Sequence, residues 1–427
     1  MADKIVSVDA FEEVDGLVKK AHVALDEFLK LDQEQIDYIV AKCSVAGLDH
    51  HGSLAASAIK ETKRGVFEDK ATKNLFACEY VVNNMRHLKT VGIIKDDPVT
   101  GITEIADPVG VICGITPVTN PTSTVIFKCL ICLKTRNPII FSFHPSAFNC
   151  SKEAAIVMYN AAVAAGAPKD CIQWIEHPSM DATTALMNHT GVATILATGG
   201  NAMVKAAYSC GKPAMGVGAG NVPAYINKSA NLEQAVNDIV LSKSFDNGMI
   251  CASEQSVIID KDIYDEALKE FERMKVYFVN DSQKELLEKY MFNTNSKDPN
   301  IESAKLNPDV VGKSAYFIAH TAGFEIPEDT AIIGVKCKIV GPKEPFSREK
   351  LSPVLAFFKS NDEVEGFDLA SRCVEFNGLG HSAAIHCKEQ SMADAFGEKV
   401  KAMRIIWNSL STFGGIGNVY NSFLPSL

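Results

Sequence analysis

The sequence predicts an α/β protein in which a doubly wound, mostly parallel sheet is followed by a second α/β unit. Helical spacing of apolar residues dominates the first 60 positions, and from about residue 103 short apolar runs alternate with helical patterns. A second series of the same alternation begins after residue 245. Repeated strand, helix, strand units require crossover connections, which place parallel strands in one sheet with helices on both faces.

An amphipathic helix is predicted near the start of the chain. Apolar residues recur there at spacings of three and four, which places them on one helical face. These residues are Phe11, Val14, Leu17, Val18, Ala21, Leu25 and Phe28. We expect this face to pack against a core.

The doubly wound part is predicted from strands and helices that alternate along the chain. The predicted strands cover 110–115, 138–143, 171–175 and 192–197. The predicted helices cover 123–133, 151–165 and 182–188. Thr122 or Ser123 is expected to cap the first of these helices, because a hydroxyl can accept a bond from an N–H group of the first turn.

The second part is predicted from a shorter series of the same kind. Its predicted strands cover 256–259, 354–358 and 383–386, with another inside 331–340, and its helix covers 263–274. The polar stretch 294–313 shows no periodicity and is expected to be a surface excursion. We place the domain boundary near residue 245, in the loop that separates the two series.

Composition and charge exclude several classes of protein. The net charge is −10, and Lys/Arg runs are no longer than two residues, so nucleic acid is not an expected partner. The longest uncharged run, 108–127, contains three prolines and is not expected to span a membrane. The start of the chain shows no export signal. These features predict a cytoplasmic protein whose 12 cysteines are reduced.

Two glycine-rich turns are candidates for binding a phosphate group. Residues 198–200 follow an apolar strand and precede a helix, where a glycine backbone can approach a ligand and helical N–H groups can bind it. An ordinary tight turn is the more frequent explanation of such a motif. The loop 216–220 adds three glycines but lacks the full dinucleotide fingerprint.

Cys251 is the strongest candidate nucleophile, although a cysteine in a reduced protein is most often an inert core residue. It lies among small residues, in the loop between the two predicted domains, and ligand sites favour such clefts. Cys129 and Cys132 lie inside a helical apolar stretch and are expected to pack in a core. With no complete ligand set, no metal site is predicted.

Two other polar residues stand where they could serve a reaction. His381 follows a glycine-rich turn and precedes a strand, so it could reach a cleft, but a surface or hydrogen-bonded core histidine is the more frequent explanation. Asn120 lies in a turn before a helix. Its amide could donate to an oxyanion, although a turn asparagine is usually a cap.

Taken together, five segments resemble the aldehyde dehydrogenase superfamily, in particular its CoA-acylating branch and the N-terminal half of the bifunctional aldehyde-alcohol dehydrogenases. The segments are 114–124, 197–200, 216–221, 245–255 and 349–353. The resemblance covers essentially the whole chain. It implies an aldehyde dehydrogenase-like fold with an NAD-binding domain over 1–244, a catalytic domain over 245–411, and a segment 412–427 that returns to the first domain.

The resemblance also implies roles for individual residues. Cys251 matches the nucleophile, Asn120 the oxyanion-hole amide, and Glu349 the acid that holds the nicotinamide ribose. The cofactor-contacting positions are Ile115, Thr116, Pro117, Val118, Thr119, Asn120, Gly200, Gly218 and Glu349. His381 is our candidate for helping CoA lose its proton. His144 replaces a lysine that contacts the adenosine ribose in many relatives, so the preference between NAD and NADP is left open.

One departure from the family indicates the reaction. Hydrolytic members carry a glutamate, which activates water, where this chain has Gly216. Without that base, the thioester on Cys251 is expected to persist until CoA attacks it. The expected reaction is acetaldehyde + CoA + NAD+ to and from acetyl-CoA + NADH, run reductively in fermentation. The acyl chain length is left open.

The sequence also leaves three alternative functions open. They are a hydrolytic aldehyde dehydrogenase with another base, a relative that reduces acyl phosphates, and a filament-assembly domain. Homo-oligomers are expected, and filaments in a longer form. By the same resemblance, we expect the chain to be about half of a longer polypeptide in which an alcohol dehydrogenase follows.

Overall fold

The computed structural model describes residues 10–376, 378, 380–417 and 422–425. Over these residues the chain forms fifteen α-helices and fourteen β-strands, arranged in two compact units. The first unit holds the described residues up to Lys63, then Phe67–Gly218 and Pro425. The second holds Arg64–Val66 and the described residues of Ala219–Leu424.

The first unit contains eight helices and seven strands in its described part. The helices are α1 (Ala10–Phe28), α2 (Gln33–Asp49), α3 (His51–Thr62), α4 (Phe67–Met85), α5 (Pro121–Lys134), α6 (Phe148–Ala164), α7 (Met180–Asn188) and α8 (Asn201–Tyr208). The strands are β1 (Gly92–Asp97), β2 (Ile102–Ala106), β3 (Val111–Ile115), β4 (Ile139–Ser142), β5 (Ile172–Trp174), β6 (Val192–Thr198) and β7 (Ala214–Val217).

Five strands of the first unit form a parallel sheet in the order β5-β4-β3-β6-β7. The chain therefore starts in the middle of the sheet, moves outward to one edge, and then returns to fill the other side. This is the doubly wound arrangement that the sequence predicts. Strands β1 and β2 form a separate antiparallel pair with largely exposed side chains.

The switch in strand order lies between β3 and β6. At their carboxyl ends Ile115 is in register with Ala197. The buried Lys128 of α5 donates from Nζ to the carbonyl of Leu196 (2.7 Å) and to that of Ile115. Open α/β sheets bind ligands at such a point, so the loops after β3 and β6 are the place to expect a cofactor.

The predicted first helix is α1, and its buried face is close to the predicted one. Val14, Val18, Ala21 and Phe28 are buried as expected. Phe11, in contrast, is 67% exposed. The buried face of α1 therefore begins at Val14, one turn later than predicted.

The second unit contains seven helices and seven strands in its described part. The helices are α9 (Leu232–Ser244), α10 (Tyr264–Arg273), α11 (Asp281–Phe292), α12 (Ala315–Ala322), α13 (Glu363–Glu375), α14 (Gln390–Lys399) and α15 (Ser411–Ile416). The strands are β8 (Val222–Ile226), β9 (Glu254–Asp260), β10 (Val276–Phe278), β11 (Ile332–Lys336), β12 (Val354–Ser360), β13 (Ser382–His386) and β14 (Arg404–Trp407).

These seven strands form a second parallel sheet in the order β10-β11-β12-β9-β8-β13-β14. All seven residues of the central strand β9 are buried. Its successive residues belong to different apolar clusters, Val257 to one and Ile258 to the other, and Phe357 and Phe358 of β12 divide in the same way. Helices therefore cover both faces of this sheet.

The two units divide earlier than the predicted boundary at residue 245. Strand β8 pairs with β9 and β13, and this places the chain from Ala219 onward in the second sheet. Of the predicted return of 412–427 to the first unit, only Pro425 among the described residues belongs to that unit. Thr412 is bonded to Ser242 through backbone and side chain, and the described residues of 412–424 stay in the second unit. The NAD-binding and catalytic roles of the units stay predictions.

Helix α5 begins earlier than predicted. Its first residue is Pro121, and Asn120 is the N-cap. Thr122 and Ser123 therefore lie within the first turn, and the prediction that one of them caps the helix is wrong. Proline is favoured at this first position because its fixed φ suits a helix and its missing N–H needs no partner.

A short strap joins the second unit from a distant part of the chain. Gly65 donates its N–H to the carbonyl of Gly312 (2.8 Å), and Val66 donates its N–H to Asp246 Oδ1 (2.8 Å). We call residues 64–66 the strap. No helix in the described residues is long and apolar enough to cross a bilayer.

Candidate active site

The cysteines divide sharply by burial. Ten are buried, while Cys210 and Cys251 are partly exposed. Burial raises the pKa of every buried one, for instance to about 11 for Cys373 and to about 12 for Cys113. The thiolate is the reactive form, so these ten are poor nucleophiles. Two cysteines, Cys210 and Cys251, therefore remain as candidate nucleophiles.

Cys251 follows a tight turn that is held in an unusual backbone conformation. Asp246, Asn247 and Gly248 have φ values of 50°, 53° and 73°. Left-handed conformations cost non-glycine residues energy and persist only where neighbours hold them. Here Asp246 accepts the Val66 N–H of the strap, and Asn247 Nδ2 donates to the Gly312 carbonyl (3.1 Å).

Gly220 brings the start of β8 against the Cys251 loop. A Cβ placed on Gly220 would lie 2.0 Å from the Cys251 carbonyl oxygen and 3.1 Å from His381 Cδ2. Only a residue without a side chain fits this approach. The structure thus brings together Cys251 and His381, two of the predicted catalytic residues.

Glu349 is the third predicted residue in this cluster. Its Oε1 accepts the N–H of Gly220 at 2.8 Å. Burial raises the pKa of this carboxyl, while the Gly220 bond and nearby positive groups, including His381, act in the opposite direction. The residue predicted to hold a ribose therefore also fixes the backbone that touches Cys251.

His381 is suited to be a base rather than a cation. Burial lowers its pKa below the ordinary 6.5, against the opposing charge of Glu349. Its Nδ1 lies 3.1 Å from Ser382 Oγ. A neutral imidazole at physiological pH can accept a proton from an incoming thiol.

Arg404 also belongs to this cluster, and the sequence reasoning missed it. It is the first residue of β14 and lies in register with Ser382. Burial lowers its pKa, and the negative charge available at Cys251 opposes that shift. A guanidinium so placed stabilises a thiolate. The only signal in the sequence is one arginine before an apolar run, which is too common to single out.

A buried layer supports the Cys251 loop and the Glu349 segment together. Gln255 Oε1 accepts from Lys243 Nζ (3.0 Å) and from the Lys350 N–H (3.0 Å). Lys350 Nζ donates to the carbonyl of Gln255 (3.0 Å) and to two more carbonyls in its own segment. The two segments that carry Cys251 and Glu349 are therefore cross-linked by buried hydrogen bonds.

Apart from Glu349, Asn120 and the other predicted cofactor contacts lie in the first unit. Ile115, the last residue of β3, and Thr116 are buried, while Pro117, Val118, Thr119 and Asn120 are partly exposed. The last four therefore have side chains partly accessible to a ligand. Asn120 Oδ1 accepts a hydrogen bond from Lys73 Nζ at 2.7 Å.

The turn after β6 fits the phosphates of a dinucleotide. Gly200 is the N-cap of α8, and a Cβ added there would meet nothing within 4 Å. The turn therefore faces open space beside the switch point. Gly218, in contrast, is packed, because an added Cβ would lie 2.5 Å from Asn201 Oδ1. His144 is exposed, with Nδ1 accepting the Ser146 N–H (3.1 Å).

The sequence profile of the aldehyde dehydrogenase family matches residues 4–287. The chain belongs to the aldehyde dehydrogenase family. It is 66% identical over 418 residues to the aldehyde-alcohol dehydrogenase of Streptococcus pneumoniae serotype 4, a match that covers 98% of this chain and 47% of that protein. This aldehyde dehydrogenase chain thus spans about half the length of aldehyde-alcohol dehydrogenases that it matches.

Solved structures agree with this assignment. An acetylating aldehyde dehydrogenase from Geobacillus thermoglucosidasius is 45% identical, with a TM-score of 0.93 over 98% of this chain and 90% of that one. A propionaldehyde dehydrogenase from Rhodopseudomonas palustris, solved with bound CoA and an acylated cysteine, is 27% identical, with a TM-score of 0.85 over 97% and 94%. The predicted aldehyde dehydrogenase-like fold and the resemblance to bifunctional aldehyde-alcohol dehydrogenases are confirmed.

In the described residues, no group of three or more His, Cys, Asp or Glu side chains is placed to hold a metal ion. The roles of the individual site residues stay predictions, which the geometry of each unit now makes specific.

Proposed function

We propose that the chain is a CoA-acylating aldehyde dehydrogenase that interconverts acetaldehyde, CoA and NAD+ with acetyl-CoA and NADH. The observation that carries the proposal is the cluster around Cys251: the backbone of this partly exposed cysteine lies against Gly220, and the partly buried His381 lies beside the same glycine. The names of the acetylating relatives and the acylated cysteine of the Rhodopseudomonas palustris enzyme support it.

The first half of the reaction forms a thioester on Cys251. The thiolate attacks the aldehyde carbon, and the carbonyl oxygen becomes an oxyanion that the Asn120 amide and the Cys251 backbone N–H stabilise. Bound NAD+ supplies the acceptor for the hydride that leaves this carbon. Loss of hydride restores the C=O bond and leaves an acyl group on sulfur.

The second half transfers the acyl group. The CoA thiol gives its proton to His381, its sulfur bonds to the acyl carbon, and the Cys251 thiolate leaves with the electron pair. No glutamate stands at Gly216 to activate water, so a thiolate competes favourably with hydrolysis. Neutral His381 suits this step because it can accept the proton at physiological pH.

The first unit fits NAD at its switch point. The open turn at Gly200 suits the pyrophosphate, and residues 117–120 after β3 flank the same sheet edge. Glu349 would hold the nicotinamide ribose. The exposed His144 does not separate NAD from NADP, so both are included in the test.

The test is NADH formation from acetaldehyde and NAD+ with and without CoA. We expect sustained turnover only with CoA, and a loss of at least about 10³-fold in Cys251→Ser, because removal of a nucleophile is among the largest single losses in enzymes. Cys210→Ser, which changes the other partly exposed thiol, should retain activity.

Other outcomes would separate the alternatives. Sustained turnover without CoA would favour a hydrolytic enzyme, and activity with acetyl phosphate would favour an acyl-phosphate reductase. No change in Cys251→Ser would overturn the catalytic proposal and favour an assembly role. Propionaldehyde, butyraldehyde and NADP in the same assay define the chain length and cofactor. Homo-oligomers, filaments in a longer form and a cytoplasmic location stay predictions.

A further inference from the structure

One face of α4 holds the turn between β3 and α5. Three polar side chains of α4 make the contacts, Lys70, Lys73 and Asn74. Residues three and four positions apart in a helix lie on the same face, so these three point the same way. Their bonds are Lys70 Nζ to Thr119 O (3.0 Å), Lys73 Nζ to Asn120 Oδ1 (2.7 Å), and Thr122 Oγ1 to Asn74 Oδ1 (2.8 Å). The turn that carries the predicted oxyanion donor is therefore bound along its length.

The bond from Lys73 determines which way the Asn120 amide points. An ammonium group has only donors, so the atom 2.7 Å from Lys73 Nζ must be the amide oxygen. The amide nitrogen then lies on the opposite side of the planar group. The usual ambiguity between the two ends of an asparagine is resolved here by chemistry.

The same bond improves Asn120 as a donor. Lys73 is only 4% exposed, so its bond to the amide oxygen is shielded from water. A positive donor on the oxygen polarises the amide and strengthens its N–H groups. Asn120 is the N-cap of α5, yet within the described residues its side chain makes no capping bond. The amide nitrogen is thus not used to start the helix.

Helix α4 is itself firmly placed. Asn74 is fully buried, and its Nδ2 donates to the carbonyl of His51 (2.9 Å). Phe76, Ala77 and Cys78 are buried in the same helix. A donor mounted on such a helix can hold a partner to the precision that an oxyanion hole requires.

We propose that Lys73 is a positioning residue for the oxyanion hole, which aims the N–H groups of Asn120 at the oxygen of the reacting aldehyde. The proposal rests on the proposed function, in which Asn120 stabilises that oxygen. In this role Lys73 acts on the reaction through the Asn120 amide, which it orients, and not by contact with the substrate. It was missed in the sequence because 47 positions separate the two residues.

The test is a double-mutant cycle on the 427-residue chain, with the CoA-dependent oxidation of acetaldehyde as the readout. Asn120→Ala should lower kcat about 10²- to 10³-fold. Lys73→Met should lower it about 10- to 100-fold, since the amide loses its fixed orientation. In the Asn120→Ala background, Lys73→Met should cost nothing further, because it has no amide left to orient.

Lys70→Met is the matched control. Lys70 is as buried as Lys73, at 3% exposure, but it binds the backbone carbonyl of Thr119 rather than the amide. Its effect on kcat, whatever its size, should be the same in the wild-type and Asn120→Ala backgrounds. The comparison separates a general loss of packing from the specific loss of amide orientation. Thermal unfolding of both variants measures the loss of packing directly.

The outcomes distinguish this inference from the proposed function. If Asn120→Ala leaves kcat unchanged, the oxyanion role itself is wrong. If Asn120→Ala slows the enzyme but Lys73→Met has no effect, or an equal effect in both backgrounds, the positioning role is overturned while the proposed function stands. Should Lys73→Met not fold, Lys73→Leu, which likewise has no donor for the Asn120 oxygen, takes its place in the cycle under the same criterion.

Discussion

Glu254, three residues after Cys251, carries a buried carboxyl at the start of the central strand β9. It is fully buried and accepts the Ser411 N–H at Oε1 (3.1 Å). Burial raises its pKa to about 7 from the ordinary 4.5. The folded state therefore favours the protonated form. Its contribution to stability is complete below about pH 4.5 and is lost as the pH rises through 7.

Glu254→Gln is expected to remove this pH dependence. The glutamine keeps an oxygen for Ser411 but cannot ionise, so the variant should gain roughly 3 kcal/mol in unfolding free energy relative to wild type between pH 4.5 and pH 7. Urea unfolding at several pH values measures it. Glu79→Gln makes the same change of charge at an exposed position, and its plot of unfolding free energy against pH should run parallel to that of wild type. Parallel curves for Glu254→Gln would contradict the assignment.

At the level of single residues, the sequence was informative where a motif carries the chemistry. Cys251 and Glu349 stand in segments typical of the family, and the structure places both beside Gly220. Lys73 and Arg404 carry no such signal. Each lies beside its partner only in the folded chain, Lys73 at Asn120 and Arg404 near Cys251, and sequence spacing does not encode these tertiary contacts.

Among the structural elements, the approach of β8 to the Cys251 loop leaves the least room for change. Gly220→Ala is expected to lower kcat by more than about 10²-fold, because the new Cβ would lie 2.0 Å from the Cys251 carbonyl and must displace the nucleophile. Steady-state kinetics with acetaldehyde and CoA measure the loss.

Gly16→Ala is the control for that substitution. A Cβ on Gly16 meets nothing within 4 Å and lies inside α1, so the variant should keep its activity and gain up to about 1 kcal/mol in stability. A Gly220→Ala enzyme as active as Gly16→Ala would show that the Cys251 loop is not held by this contact.

Prediction of the elements succeeded where periodicity was strong. Strands β3, β4 and β6 are close to the predicted ranges. Strand β8 was missed because Pro223 argues against a central strand, and the ladder with β9 indeed shifts register between Val222 and Pro223. Short strands such as β10, with three residues, carry too little pattern to be recognised.

For the whole molecule, the distribution of thiols makes the native fold directly measurable. Iodoacetamide should label Cys210 and Cys251 in the native protein, while the ten buried cysteines are labelled only as the protein unfolds. Mass spectrometry of protein treated in increasing urea counts the labels. Rapid labelling of buried residues such as Cys113 or Cys373 without denaturant would contradict the described packing.

The sequence predicted that the chain divides into two units, but it did not predict the residue at which they divide. Composition and length indicate two α/β parts, yet the boundary depends on which sheet a strand joins. That choice is made by the pairing of β8 with β13, a strand far along the chain. Pairing partners of parallel strands are set by tertiary packing, so a local reading of the sequence cannot locate the division.

The strap sets an order of events during synthesis. Val66 leaves the ribosome 180 residues before Asp246, the residue that accepts its N–H. At about 5 to 20 residues per second, this interval is roughly 10 to 40 seconds. The first sheet has its strands available during that interval, but the left-handed turn before Cys251 can meet the strap only once Asp246 and Gly312 have been made. The Cys251 loop is therefore secured only after residues 246 and 312 have both been made, and a nascent chain lacks this arrangement while its first unit folds.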